Sequence, residues 1–266
     1  MKSNKYKLLV LSDLKDSSDN IIKTTANLAK MIGGDIDLLH VRKPVDIVES
    51  DNQLSSMRTI NRDYIASKDH IESIIKSIDK ALNIKYSLIY GNVKQEIKEH
   101  IHNTNPDIIV LGKKRFNALK LTGDRITKFV LKKYKGIVLI ASNDSVLEPS
   151  KNLSLGVFND FEHSTNENLA KSLMAYTQKP IKSFKIQKNP EVTNQDKSDT
   201  ALNDTVEYIF QSNDNAIDSL SNYVLKNNID LLCINREIEA SKKNKLSSSN
   251  LTNIIRKLNV SLLLTD

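Results

Sequence analysis

The chain alternates short, strand-length apolar segments with longer amphipathic ones, and this alternation restricts its fold more than any other feature. Residues 107–112 are apolar throughout their middle, as expected of a strand that is covered on both faces. Between the strand-length segments, apolar residues recur at helical spacing, as Val93, Ile97 and Ile101 do. Strands that alternate with helices in this way predict a parallel sheet with crossover helices. In the first half, strands are predicted at 6–12, 36–41, 84–90, 107–112 and 137–141.

The same alternation restarts after residues 143–151, a polar segment with a proline that is typical of a linker. Residues 105–114 (NPDIIVLGKK) have a counterpart in residues 228–237 (NIDLLCINRE), and the order of elements matches in both halves. Few residues are identical, which indicates an old duplication. In the second half, strands are predicted at 153–159, 181–186, 206–210, 229–234 and 260–264.

The second half differs from the first in one long segment. Residues 52–82 are amphipathic and predict a helix, whereas the corresponding residues 187–203 are polar and contain few apolar side chains. We therefore expect that helix to be missing or reduced in the second half. The predicted organisation is two tandem domains, 1–145 and 151–266, the second of them shortened and degenerate.

The positive charge of the chain is concentrated in one stretch. The formal charge is +7, and residues 112–135 hold nine basic residues and one acidic residue, so that stretch is +8 and the remainder is −1. A solvated helix face, an anion site and a nucleic-acid surface are the three interpretations. The stretch holds only three aromatic residues, too few for base stacking, which argues against nucleic acid.

Several classes of function lack their sequence signals. No apolar run approaches 18 residues, so we expect no membrane-spanning helix, and the polar N-terminus with a short apolar segment does not predict a signal peptide. The single cysteine, Cys233, favours a cytoplasmic address and is predicted to be a core residue. The five histidines show no metal-ligand spacing. Neither a nucleophile elbow nor a P-loop occurs, so we predict no catalytic residues and no enzyme, although weak ATP hydrolysis stays open.

Three residues stand at corresponding ends of the predicted strands. Asp13 follows the first strand, Gly91 follows the third, and Gly112 ends an apolar fourth strand from which a loop leads to the last helix. In this order of elements and residues, each half resembles a domain of the universal stress protein family. The resemblance implies that each half is a doubly wound α/β domain with a five-strand parallel sheet, a fold of the adenine nucleotide alpha hydrolase-like type.

The resemblance also implies a ligand and its contacts. In the ATP-binding branch of the family, the residue matching Asp13 contacts adenine, the residue matching Val41 supplies backbone contacts, and a glycine loop that begins at Gly112 holds the ribose and phosphates. ATP or another adenine nucleotide is the implied ligand, and no metal is required. The predicted nucleotide- or anion-binding residues are Asp13, Val41, Gly91, Gly112, Lys113, Arg115, Gly123, Asp124 and Arg125.

The glycine loop departs from the family form, G-x2-G-x9-G-[ST]. Arg115 stands at the second glycine, seven residues instead of nine precede Gly123, and Asp124 replaces the hydroxyl residue. A carboxylate there would cap the helix and repel a triphosphate, whereas the neighbouring lysines and Arg115 would attract one. In the second half Asn235 replaces the first glycine and the loop holds no glycine. We therefore expect a degenerate site in the first half alone.

Two functions follow as hypotheses. The first is a cytoplasmic universal stress response protein, sensing or regulatory, that binds a nucleotide or another anion weakly. The alternative is a ligand-free interaction protein that acts through the surface of its paired domains. In the family the closing strand often mediates pairing, so the resemblance implies that residues 137–141 and 260–264 support either pairing of the two domains within the chain or a homodimer.

Overall fold

The structure is a computed structural model. It describes residues 6–15, 18–44, 53–113, 125–148, 152–158, 167–187, 205–213, 215–236 and 248–265. The chain divides into two compact units, Met1–Val138 and Leu139–Asp266. This division falls inside a strand, and the domain limits expected from the sequence, 1–145 and 151–266, stay a prediction.

The first unit alternates strands and helices as the sequence predicts, and its sheet is parallel. β1 pairs with β2 on one side and with β4 on the other, and β2 pairs with β3, all in parallel ladders. The strand order is β3-β2-β1-β4-β5. Its elements are β1 (Tyr6–Leu11), α1 (Ser18–Ile32), β2 (Gly34–Arg42), α2 (Gln53–Lys76), β3 (Ile84–Tyr90), α3 (Val93–Thr104), β4 (Ile108–Gly112), α4 (Arg125–Lys133) and β5 (Ile137–Ala141).

The second unit repeats this order of strands, and its ladders are parallel as well. The order is β10-β9-β6-β7-β8. The helix that the sequence predicts to be missing or reduced falls on residues 188–204, which lie outside the described residues. The elements are β6 (Leu153–Phe158), α5 (Glu167–Met174), β7 (Thr177–Gln187), β8 (Thr205–Gln211), α6 (Ala216–Lys226), β9 (Leu231–Asn235), α7 (Ser248–Lys257) and β10 (Ser261–Thr265).

The central strands form the core, because their side chains are covered on both faces. In β1, Leu8, Leu9 and Val10 are fully buried, and β9 is buried along its whole length. α1 packs an apolar face against this sheet and ends at Gly33, whose φ of +74° lies in the left-handed region that glycine adopts without strain. Burial on both faces explains why these strands are apolar runs rather than alternating ones.

β7 is longer than the sequence predicts, and it contains a proline. The strand begins at Thr177 rather than at residue 181, and its register with β6 shifts between Ser154 and Gly156. Pro180 lies within this irregular segment. Because proline cannot donate a ladder hydrogen bond, it is tolerated where the ladder is interrupted. Because of this proline, the sequence does not predict that residues 177–180 belong to the strand.

The ladders also align the two units residue by residue. Asp107 accepts a hydrogen bond from the backbone N–H of Lys7 (2.7 Å), and Asp230 accepts one from Ser154 (2.8 Å) in the same way. From this shared contact the registers match Leu9 with Gly156, Leu39 with Phe184, His40 with Lys185, and Gly112 with Asn235.

Candidate functional site

The strand order of the first unit places a topological switch point at β1. The chain pairs β1 with β2 on one side and with β4 on the other, so the crossovers leave a crevice beyond the carboxyl ends of β1 and β4. Leu11 lies opposite both Leu39 and Leu111. The segments that follow these three residues therefore share one edge of the sheet, the carboxyl edge of the first unit.

The segment after β1 is held firmly by Ser12. Its N–H donates to the carbonyl of Leu39 (3.2 Å), and its buried hydroxyl donates to Ser18 (3.2 Å) and accepts from the N–H of Leu14 (3.1 Å). Leu14 then adopts a φ of 54°, which turns the chain away from the sheet. Asp13, between these two fixed residues, has an exposed side chain whose Oδ1 accepts from the N–H of Lys15 (3.4 Å). The carboxylate is thus presented to solvent from a rigid support.

Val41 is the penultimate residue of β2 at the same edge, and its peptide groups face the side of β2 where the pairing with β1 has already ended. The carbonyl of Leu39 accepts from β1, and the carbonyl of Arg42 accepts from Gly91 beyond β3 (2.9 Å). Because peptide groups alternate sides along a strand, those of Val41 point toward β1. The ladder between β1 and β2 ends at Leu11 and Leu39, before it reaches Val41. Its backbone is therefore placed to meet a ligand in the crevice.

His40 is a buried histidine at this edge. Its Nδ1 lies 2.9 Å from the carbonyl oxygen of Ser12, and the side chain is 4% exposed. Since a carbonyl only accepts, Nδ1 carries the proton of the neutral ring. Nε2 is buried and has no hydrogen-bond partner among the described residues. Burial lowers the pKa of His40; Arg42 lowers it further, whereas the carbonyl of Ser12 and the carboxylates of Asp63 and Asp13 oppose the shift.

A polar network ties α2 to the ends of β2 and β3. Arg42 forms an ion pair with Asp63 of α2, and the hydroxyl of Tyr90 donates to the other oxygen of Asp63 (2.9 Å). Burial and then the hydrogen bond to Asp63 raise the pKa of Tyr90 to about 12. The sequence analysis did not single out these residues or His40. His40, Arg42 and Tyr90 share one signal, a polar side chain near the end of a strand, whereas Asp63 on α2 carries no such signal.

Gly91 lies against the side chain of Glu96 in α3. A Cβ at Gly91 would collide with the side chain of Glu96 in α3, and Asn92 between them caps that helix by accepting from Gln95 (3.3 Å). Gly91 follows β3, and β2 lies between β3 and β1 in the sheet. The structure therefore places Gly91 at the same edge as Asp13 but not beside it.

The other predicted site residues follow β4. Gly112 ends β4 and is half-buried, Lys113 follows it and is also half-buried, and Arg125 is the exposed first residue of α4. Gly112 and Asp13 thus lie on adjacent strands, at either side of the switch point. The predictions for Arg115, Gly123 and Asp124 lie outside the described residues.

The corresponding edge of the second unit has different chemistry. Asn235, which matches Gly112, is buried, and Lys185, which matches His40, forms an ion pair with Glu207 (2.6 Å). Asp160, the counterpart of Asp13 in the sequence, lies outside the described residues. Along the described part of this edge, the second unit replaces the histidine and the glycine of the first.

Three further observations concern the described residues only. No group of three or more His, Cys, Asp or Glu residues there could hold a metal ion. No helix among them has the length and apolar character to cross a membrane. Cys233 is fully buried, as the sequence predicts, and burial raises its pKa to about 12, so the thiol stays protonated and unreactive.

Comparisons with known proteins agree with this fold. A structure of a universal stress protein from Archaeoglobus fulgidus DSM 4304 matches with a TM-score of 0.67 and 13% identity, covering 98% of this chain and 98% of that chain. A functionally unknown protein from Pseudomonas aeruginosa PAO1 matches with a TM-score of 0.61 and 12% identity, covering 98% and 92%. These likenesses show the fold, and no curated protein sequence matches the chain. The model of the universal stress protein family matches residues 6–141, and the chain therefore belongs to the universal stress protein family.

Proposed function

We propose that the first unit binds an adenine nucleotide, or a related phosphate-bearing anion, at the carboxyl edge formed by β1, β2 and β4. The observation that carries this proposal is the placement of Asp13, Val41 and Gly112 at the carboxyl ends of three adjacent strands, around the switch point of a doubly wound sheet. The family to which the chain belongs supports the same place. The role is sensing or regulation in the cytoplasm.

The chemistry of this edge suits adenine and phosphate. The exposed carboxylate of Asp13 accepts hydrogen bonds, and the exocyclic amine of adenine donates them. The peptide groups of Val41 supply a donor and an acceptor for the edge of the base. Lys113 after β4 and Arg125 at the start of α4 supply positive charge on the side where a phosphate chain would lie.

Binding rather than catalysis is the proposed activity. Among the described residues at this edge, Asp63 holds Arg42 and Tyr90, and Asp13 accepts from the N–H of Lys15 in the loop after β1. A nucleotide bound there meets contacts for recognition but no arranged general base in the described part of the chain. A phosphate-release assay with ATP checks this part of the proposal, and turnover that depends on Asp13 would contradict it.

The decisive experiment is calorimetric titration of the full chain with ATP. Loss of a hydrogen bond to a charged group costs about 1.5–3 kcal/mol, so Asp13→Ala should weaken binding by roughly ten- to a hundredfold. Asp69→Ala removes an equally exposed carboxylate from α2 and should leave binding unchanged. Equal affinities for wild type and Asp13→Ala would contradict the proposal.

Base selectivity gives an independent check on the role of Asp13. Guanine carries a carbonyl oxygen where adenine carries its amine, and this oxygen would face a carboxylate that cannot donate. GTP should therefore bind more weakly than ATP. In Asp13→Ala that preference should shrink, because the discriminating group is gone.

One observation favours the alternative, a ligand-free interaction protein. α2 exposes apolar side chains between residues 54 and 65, including Leu54 and Met57, each 69% exposed, and Ile65. Exposed apolar residues that cluster on one helix are typical of a surface that binds another protein. If the wild-type chain binds no adenine nucleotide, sedimentation of wild type and Met57→Lys tests this function: self-association that the lysine abolishes would support a homodimer through α2.

A further inference from the structure

We infer that His40 is the positioning residue of the proposed nucleotide site: its imidazole joins the end of β1 to the end of β2 and so fixes Asp13 relative to Val41. The inference rests on the proposed function. His40 itself would not touch the ligand, since both of its ring nitrogens are covered by protein. Its role is to hold the two neighbours that would.

His40 lies where the backbone ladder between β1 and β2 ends and no longer holds the two strands together. The Ser12 N–H still bonds to Leu39, but the chain turns away at Leu14, so the next ladder bond from Val41 to the Ser12 carbonyl is replaced. Instead, the Nδ1–H of His40 donates a hydrogen bond to the carbonyl oxygen of Ser12 (2.9 Å). The strand end is therefore fixed by a side chain, while the peptide groups of Val41 are left facing the crevice.

The same hydrogen bond sets the orientation of Asp13. The Ser12 carbonyl and the Asp13 N–H belong to one planar trans peptide and point in opposite directions. Holding the carbonyl toward β2 turns the Asp13 N–H away from β2, toward the side of β4. One bond, between residues 28 apart in sequence, thus orients Asp13 on the side of the crevice.

Only the neutral ring of His40 can make this hydrogen bond without burying an unsatisfied N–H group. The neutral ring donates from Nδ1 and leaves a lone pair on buried Nε2, whereas the protonated ring would bury a second N–H with no acceptor among the described residues. The charged groups acting on it are Arg42 from β2, Asp63 from α2 and Asp13 from the loop after β1. Burial outweighs the two carboxylates, so the neutral ring is favoured and the pKa is lowered.

A pH dependence follows with a definite sign. The unfolded chain takes up the proton near pH 6.5, and the folded chain only at lower pH. The contribution of His40 to stability is therefore complete above about pH 6.5 and is lost as the pH falls through the folded-state pKa. If the histidine positions the site, ATP affinity falls only where the folded chain takes up the proton, at the lowered pKa of His40.

The test compares two substitutions of similar size. Asn places an amide N–H close to the position of Nδ1 and does not titrate, whereas Leu fills the space without a donor. His40→Leu should weaken ATP binding at least tenfold. His40→Asn should stay within about threefold of wild type and should lack the loss of affinity that protonation of His40 causes in wild type at low pH. His102→Leu, at an exposed position on α3, is the matched control and should bind as wild type does.

A second readout separates this inference from the proposed function. Without ligand, hydrogen exchange of the amides of Asp13 and Leu14 should speed up in His40→Leu and stay near wild type in His40→Asn. If wild type binds no ATP, the proposed function fails, and these exchange rates still decide whether His40 fixes the segment. Equal behaviour of the Asn and Leu variants in both measurements would overturn the inference.

Discussion

The two units share strand order and ladder register, yet they differ at their carboxyl edges. In the first unit a buried histidine holds the end of β1 and a glycine ends β4. In the second, the matching positions are Lys185, which reaches sideways to Glu207 on β8, and buried Asn235. The same sheet can therefore carry different side chains at its carboxyl edge, and a few residues at the strand ends make the difference that the proposed function rests on.

The units also fill the same core space by different means. Leu9 in β1 is matched by Gly156 in β6, and Leu39 in β2 is matched by Phe184 in β7. A Cβ at Gly156 would lie 2.8 Å from the ring of Phe184, so the larger side chain occupies the space that the missing one leaves. Phe184 restores only part of the side-chain volume that Gly156 lacks relative to Leu9, so the compensation at this pair is partial.

A third contrast lies on the outer strands. In β3, Tyr86 donates to Glu72 (2.9 Å) and Tyr90 donates to Asp63 (2.9 Å), and both acceptors belong to α2. The matching residues of β8 are Glu207 and Gln211, and both are exposed. In the first unit, tyrosine hydroxyls on this face of β3 thus donate hydrogen bonds to α2. In the second unit, the matching side chains of β8 are polar and exposed.

The largest expected effect on stability is at the matched core position. Alanine is smaller than Leu9 in the first unit and larger than Gly156 in the second, so it should destabilise each unit for a different reason. Leu9→Ala leaves a cavity around a fully buried site and should lower the free energy of unfolding of the first unit by about 2–5 kcal/mol. Gly156→Ala adds an atom 2.8 Å from Phe184 and Leu232 and should destabilise the second unit by about 1–3 kcal/mol. Urea unfolding followed by hydrogen exchange assigns each loss to its unit.

The core comparison has a control in the second unit. If Phe184 fills the space of Gly156, then Gly156→Ala combined with Phe184→Leu should recover part of the stability that Gly156→Ala removes. Additive losses in the double variant would show that the two positions do not compensate one another.

A smaller effect is expected on the outer strands. Tyr90→Phe removes a half-buried donor from Asp63 and should destabilise the first unit by about 1 kcal/mol. At the matching position, Gln211→Leu alters an exposed side chain and should change stability by less than about 0.5 kcal/mol. Thermal unfolding of the two variants and the wild type measures both changes in stability. If the two variants lose equal stability, the outer strands do not differ in the way described.

Much of the fold follows from local patterns, because apolar runs and helical spacing are local. β3 and β5 begin and end where the sequence predicts, and the duplication is visible in the order of elements. The early start of β7 was not predictable, because Pro180 normally ends a strand and only the shifted register with β6 accommodates it.

The candidate site was predictable only in part, for a similar reason. Residues at the strand ends could be named from their position, and Asp13, Val41 and Gly112 do lie at the ends of adjacent strands, while their role in binding stays a prediction. The contact of His40 with Ser12 and the network of Arg42, Asp63 and Tyr90 join residues distant in sequence. No local pattern encodes such pairs, since they depend on register and on the packing of α2.

Hydrogen exchange of the full chain with and without saturating ATP tests the central claim most directly. The proposal predicts that protection appears in peptides covering residues 12–14, 40–42 and 112–113, and that peptides covering 156–158 and 234–236 of the second unit are unchanged. Protection of the second unit alone, or no protection in either unit, would contradict the claim that the carboxyl edge of the first unit binds the nucleotide.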